Sequence, residues 1–172
     1  IIGRTKTAWT NLELLSLDRN DIGDKGAAAI GANTTWNKLK ELRLHSNRIG
    51  DEGGVSIGSN TTWKNLEKLY LWGNDIGDKG AAAIGANTTW SKLKGLRLLS
   101  NRIGDEGAVS IGSNTSWKQL IGLDLHKNQI AEKGATAIGA NTTWSKLRLL
   151  HLNSNRIGDE GAVSIGSNTT WT

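Results

Sequence analysis

Asp124 and His151 are separated by a 27-residue step, and His126 follows Asp124 by two. Two imidazoles and a carboxylate are a donor set that zinc or a similar divalent ion takes, and an imidazole beside a carboxylate can also move a proton. His45 completes the histidines of the chain. The set lacks enclosure, however. No segment around it builds a closed pocket, and such residues arise by chance at positions free to vary. The expectation is therefore that the chain is not an enzyme and carries no metal and no cofactor. Other chemistry has no foothold either: there is no cysteine, no GxxxxGK(S/T) loop and no GxSxG elbow, although the chain has 22 glycines.

Tyr70 is the single tyrosine, and Arg43 and Arg97 stand one such step before and after it. Trp72 follows it at alternate spacing. Trp, Tyr and Arg dominate binding hot spots, while an arginine over an aromatic face is also a stable contact within one molecule. These residues read either as a binding patch or as an Arg-Tyr-Arg stack that satisfies itself, and the patch is the favoured reading.

The spacing that relates these residues runs through the whole chain. Trp9, Trp36, Trp63, Trp90, Trp117, Trp144 and Trp171 recur with the same 27-residue period, leaving Trp72 as the one tryptophan of eight outside the series. Each period carries LxxLxLxxNxI: Leu12, Leu15, Leu17, Asn20 and Ile22 in the first, Leu39, Leu42, Leu44, Asn47 and Ile49 in the second. The later ones begin at Leu66, Leu93, Leu120 and Leu147 without a slip of register. A fixed period of this length marks a stack of identical structural units.

This pattern resembles the leucine-rich repeat. The stretch IGDEGGVSIGSNTTW from Ile49 to Trp63 is similar to that of the ribonuclease-inhibitor-like class, to which the repeat regions of NOD-like receptors belong. Trp stands where that class has a last leucine. The resemblance implies an α/β leucine-rich-repeat solenoid of six 27-residue repeats, curved, with parallel strands on the concave face and short helices on the convex face.

Elementary geometry leads to the same fold. Leu15 and Leu17 alternate onto one face of a short strand, with Ser16 and Asp18 on the other. Asp24 is expected to cap a short helix over Ala27 to Ile30, a segment too short to be stable undocked. Asn33 is expected to end that helix in the left-handed conformation, and Trp36 to pack as the chain returns. Strands stack at about 4.8 Å and helices at about 8–10 Å, so the stack must curve with its strands inside. The asparagine column from Asn20 to Asn155 is read as buried, pairing peptide groups that the turn leaves open.

A longer, 54-residue rhythm is superposed: DIGDKGAAAIGAN (Asp21 to Asn33) alternates with RIGDEGGVSIGSN (Arg48 to Asn60). Down the stack this makes one column of Lys25, Glu52, Lys79, Glu106, Lys133 and Glu160 and another of Asp21, Arg48, Asp75, Arg102, Gln129 and Arg156. Both are expected to be charge ladders that set register rather than a partner surface. The repeats disagree on the strand face. There the Ser16 column continues Arg43, Tyr70, Arg97, Asp124, His151, and the Asp18 column continues His45, Trp72, Leu99, His126, Asn153. Glu41, Lys68, Arg19 and Lys127 vary beside them. The expected ligand-binding residues are Arg43, His45, Tyr70, Trp72, Arg97, Leu99, Asp124, His126 and His151, centred on Tyr70 and Trp72.

The 21 basic and 16 acidic residues, net +5, are scattered without the block of like charge that a nucleic-acid arm would show. No apolar run reaches membrane-spanning length. A chain without cysteine and without a signal peptide fits a reducing compartment such as the cytoplasm. The whole chain is expected to be one array and a fragment of a longer protein, with 1–9 the remnant of a preceding repeat and 10–171 the six repeats. Uncapped ends would then favour end-to-end self-association. The NTT and NTS triplets at Asn33, Asn60, Asn87, Asn114, Asn141 and Asn168 match the glycosylation acceptor in form, and are read as structural because they fall at the repeated helix end. Function is expected to be recognition of a protein ligand on the concave face, as in receptors or scaffolds. The alternatives are an enzyme regulator, inhibitor-like or GTPase-activator-like, and a structural, consensus-like array.

Overall fold

A computed structural model describes residues 9–171; the expected remnant over 1–9 lies, apart from Trp9, outside the described residues. Six turns follow one another in a single order. β1 (Leu14–Ser16), β2 (Glu41–Arg43), β3 (Lys68–Tyr70), β4 (Gly95–Arg97), β5 (Gly122–Asp124) and β6 (Leu149–His151) form one parallel sheet in chain order. Between them run α1 (Asp24–Gly31), α2 (Asp51–Gly58), α3 (Asp78–Gly85), α4 (Asp105–Gly112) and α5 (Glu132–Gly139), and α6 (Gly158–Gly166) closes the series. This is the expected solenoid, with sheet and helices on opposite sides of one core.

That core is built from the repeated apolar columns. Leu42, Leu69, Leu96 and Leu123 point inward from the strands to meet Ile57, Ile84, Ile111 and Ile138 from the helices, all of them buried. Burying each such side chain contributes about 1.5–3 kcal/mol. The tryptophans close the return to the next strand. Trp63, Trp90, Trp117 and Trp144 are fully enclosed, whereas Trp9 at one end stays largely exposed. Helices of eight residues persist because they dock on their neighbours. They dock closely: a Cβ on Gly58 would stand 2.5 Å from the backbone nitrogen of Ile84.

The asparagine column does what its chemistry demands. Asn74 Nδ2 donates to the carbonyls of Leu44 and Leu71, and its Oδ1 accepts from Ile49 N–H at 3.1 Å. Asn47 and Asn101 repeat the arrangement. Each asparagine from Asn47 to Asn155 thus stitches its own turn to the one before it, with Asn128 and Asn155 only half-buried. Asn20 departs from the expected burial, being exposed and donating to Asp18 O within its own turn.

Two local expectations require correction. Asp24 does not cap its own helix; α1 begins after Gly23 with no side-chain cap. Its Oδ1 instead accepts from Gly50 N–H at 2.7 Å and Gly53 N–H at 2.9 Å, so it caps α2. The helices sit side by side closely enough that the first-turn carboxylate of one reaches the open N–H groups of the next. Asn33 is not left-handed either. A column of left-handed residues, Arg19, Ser46, Gly73, Ser100, Lys127 and Ser154, lies instead at the turn after each strand, and Asp21 and Gly158 are the further positive-φ positions among the described residues. Asn33 Oδ1 accepts from the backbone N–H of Thr35 and Trp36. In the same column Asn60, Asn87, Asn114 and Asn141 are buried, with both Nδ2 hydrogens donated to carbonyls of the preceding turn. An acceptor nitrogen so placed is closed to a glycan in the folded state.

The charge columns also differ from expectation. No ion pair links Lys25, Glu52, Lys79, Glu106, Lys133 and Glu160 among the described residues, all six of which are exposed. The other column pairs Arg48 with Asp21 at 3.1 Å and Arg102 with Asp75 at 2.6 Å. The same couples of turns are joined by Lys40 to Glu13 and Lys94 to Glu67, and by Lys38 to Asn11 and Lys92 to Asn65, while Lys146 to Gln119 joins the last couple. These links recur with the 54-residue rhythm at alternate boundaries between turns, while Lys68 to Glu41 and Asn65 to the Asn37 carbonyl cross the boundary between the first two couples.

Candidate functional site

Parallel register turns sequence columns into spatial rows. Ser16, Arg43, Tyr70, Arg97, Asp124 and His151 are successive Cα partners across the sheet, and so are Leu14, Glu41, Lys68, Gly95, Gly122 and Leu149. Pairing continues beyond the strands, as Ser46 N–H donates to Trp72 O and Ser100 N–H to His126 O. His45, Trp72, Leu99 and His126 thus form a third row on the same face.

Within these rows the side chains settle into three groups. In the first, the imidazole of His45 stacks on Trp72 with centroids 3.9 Å apart and planes 9° from parallel. His45 Nε2 also lies 3.1 Å from Asp18 Oδ2. Burial pushes the His45 imidazole below its ordinary value; Asp18 opposes this, and Arg19 and Arg43 reinforce it.

In the second group Tyr70 lies between two guanidinium groups, 5.8 Å from Arg43 and 5.0 Å from Arg97. The self-satisfying stack weighed from the sequence is present. Arg43 is further tied to Glu41 at 2.6 Å, a bond that raises its pKa, and Glu41 also meets Lys68 at 3.5 Å. Arg97 meets no carboxylate among the described residues. Tyr70 and Trp72 are half-buried by these partners rather than standing free.

The third group joins Asp124, His126 and His151. His126 Nδ1 is 2.8 Å from Asp124 Oδ1, and His151 Nδ1 is 3.5 Å from Asp124 Oδ2. One ligand atom from each falls within 4.8 Å of the other two, so this triad is where a divalent ion could be held. The carboxylate is meanwhile engaged by both rings. Leu99 is half-buried between the first and third groups.

Between Tyr70 and His151 the face is hollow. A depression of about 280 Å³ is lined by Tyr70, Ile121, Leu123 and Leu149, with Lys68, Lys94 and Arg97 along one rim. It exists because β4 and β5 start with Gly95 and Gly122 where neighbouring strands carry Lys68 and Leu149. Sequence reasoning missed these two glycines and the flanking Ile121 and Leu149. The available signal was a pair of consecutive glycines in a column that elsewhere has large side chains.

The sequence profile described as Leucine Rich repeat matches residues 10–31, 37–58, 64–85, 91–112 and 145–166, well over half of the chain. The chain belongs to the leucine-rich-repeat family. No curated protein sequence is significantly similar to it. Among solved leucine-rich-repeat structures, an internalin from Listeria monocytogenes superposes with a TM-score of 0.61 at 24% identity over 92% of this chain. The array spans 47% of that internalin's length. The actin-binding site 2 region of leiomodin-1 gives a TM-score of 0.53 at 19% identity, covering 81% of this chain and 82% of that one. An Arabidopsis receptor kinase, solved with a peptide hormone and a co-receptor, gives 0.50 at 19% identity over 86% of this chain and 22% of its own. At these identities the likeness is one of fold. No helix of the array, among the described residues, is long and apolar enough to cross a membrane.

Proposed function

We propose that this leucine-rich-repeat array recognises a protein ligand through its sheet face, using Arg43, His45, Tyr70, Trp72, Arg97, Leu99, Asp124, His126 and His151. The observation that carries the proposal is the separation of tasks between columns. Inward positions repeat Leu, Ile, Trp and Asn from turn to turn and are consumed by the core, while the outward strand positions differ from turn to turn and share one continuous surface. Diversity gathered on one open, aromatic and charged face is what recognition of a macromolecule uses. Proteins of this fold bind protein partners: the receptor kinase was solved with a peptide hormone and a co-receptor, and the leiomodin fragment is an actin-binding site. The resemblance of the Ile49 to Trp63 stretch to the ribonuclease-inhibitor-like class supports a receptor or scaffold repeat region similar to those of NOD-like receptors; an enzyme regulator and a structural, consensus-like array are the alternatives.

The test is a display library of folded domains panned against the immobilised array. Binders should be lost with Tyr70→Ala/Trp72→Ala and kept with Lys79→Ala/Glu106→Ala on the helix side. Binders indifferent to the first pair and sensitive to the second would move the site off the sheet and end the proposal.

A further inference from the structure

Gly95 and Gly122 are not glycines that the fold requires. Neither has a positive φ, and a Cβ would find its nearest neighbour at 4.0 Å for Gly95, on the Lys68 side chain, and at 3.8 Å for Gly122, on Leu149. Gly58 and Gly85 are the opposite case, since a Cβ on either would run into the backbone of the next turn. Glycine inside a strand weakens it and leaves nothing to pack. What the pair produces is the hollow itself.

The hollow has a chemistry. Its walls are the ring of Tyr70 and the exposed apolar side chains of Ile121 and Leu149, the last 55% exposed. At about 280 Å³ it falls below the roughly 300–1,000 Å³ of pockets that enclose a small-molecule ligand. It suits one large side chain of a partner better than a free metabolite. The charges at its edge are unequal. Lys94 is held by Glu67 at 2.8 Å, Lys68 faces Glu41 at 3.5 Å, and Asp124 is engaged by His126 and His151. The Arg97 guanidinium, set over the Tyr70 ring, is the rim charge that meets no opposite charge among the described residues. A planar guanidinium held by a ring is prepared for a carboxylate.

From this combination we infer that the hollow is a specificity pocket for an extended acidic segment of the protein partner. An aliphatic side chain fills the space above Gly95 and Gly122, and a neighbouring Asp or Glu side chain pairs with Arg97. The inference rests on the sheet-face recognition proposed above and names the chemistry of what is recognised.

The glycines make the test clean, because filling the hollow should not harm the fold. Gly122→Leu is expected to unfold at the same or a higher urea concentration than the parent chain. A random heptapeptide display library panned on the parent should enrich an aliphatic residue next to Asp or Glu. Synthetic peptides made from the enriched sequences should lose about tenfold or more in affinity on Gly122→Leu, and severalfold on Arg97→Gln or when their acidic residue becomes the amide. Enriched peptides that bind Gly122→Leu unchanged but fail on Trp72→Ala overturn the pocket and leave sheet-face recognition standing. Enrichment of basic or purely polar peptides that Gly122→Leu abolishes overturns the assigned chemistry alone. Enriched peptides indifferent to Gly122→Leu, Arg97→Gln and Trp72→Ala alike overturn both readings, as does the absence of any enrichment.

Discussion

Asp78 Oδ1 accepts the backbone N–H of Gly104 at 2.8 Å across the boundary between two turns. The same oxygen accepts Gly107 N–H at 2.9 Å, so one carboxylate satisfies two of the open donors at the start of α4. The Asp78→Ala variant is expected to lose about 1 kcal/mol, as other N-cap deletions do. Asp78→Asn keeps the acceptor oxygen and should lose less. Urea unfolding of both variants measures the difference, and equal losses would mean that charge rather than hydrogen bonding does the capping.

Glu132 occupies the corresponding position one turn before α6, and there the pattern breaks. Gly158 takes a positive φ of 61° beside the Glu132 side chain, and Ile157 rather than an extended residue precedes the helix. Glu132→Asp is expected to restore the arrangement by which Asp105 Oδ1 holds Ala131 N–H and Gly134 N–H, both at 2.8 Å. Hydrogen exchange at Gly158 and Gly161 should slow. Unchanged exchange at both amides would show that the added methylene of Glu132 is not what disturbs the cap.

Removing Asn74 should cost more than removing a cap. Its amide serves Ile49 N–H and the carbonyls of Leu44 and Leu71, in a place from which water is excluded. Unmet buried groups cost about 1–3 kcal/mol each, so Asn74→Ala is expected to destabilise the array by about 3 kcal/mol. A shift of the urea midpoint no larger than that of Asp78→Ala would count against the asparagine ladder as a main support.

His45 offers a pH signature. Burial under Trp72 favours the neutral ring, so the folded chain binds the proton less readily than the unfolded chain, whose value is near 6.5. The unfolded state therefore takes up the proton first as pH falls. The stabilisation is complete above pH 6.5 and is lost as pH drops through that value towards the lower one of the folded state. An NMR titration should place the His45 midpoint below 6.5, and Trp72→Ala should bring it back up. A midpoint at or above 6.5 in the parent chain refutes the sign.

The couples of turns predict a salt dependence. Lys94→Ala breaks the bond to Glu67 that holds this carboxyl below its ordinary value. The pair is largely exposed, so the loss should be at most about 1 kcal/mol and should shrink as salt is added. A loss that does not change between low and high salt would mean that Lys94 acts by packing its stem.

The turns were legible in the sequence because their causes are local and repeated: Leu15 and Leu17 alternate, Asn20 follows, and Trp36 closes each period. Asp24 was misread because reading along the chain finds its nearest helix, whereas the groups it bonds, at Gly50 and Gly53, belong to the next turn. The left-handed column escaped notice because Arg19, Ser46, Gly73, Ser100, Lys127 and Ser154 share a backbone need and no residue type. Of the site, the rows were legible once the period was known. The hollow was not, because Gly95 and Gly122 were two glycines among many, and only the register of β4 beside β5 gives the space they leave a shape.

The handing of a cap from one turn to its successor, from Asp24 through Asp105, bears on how such a chain can be lengthened or shortened. If one 54-residue couple were cut out, Asp51 would meet the amides now served by Asp105, and the junction would be chemically whole. Copying a couple works in the same way. A gene for this protein can gain or lose reading surface by unequal crossing-over without inventing a new joint, and the copied strand positions are then free to diverge while the joints stay fixed.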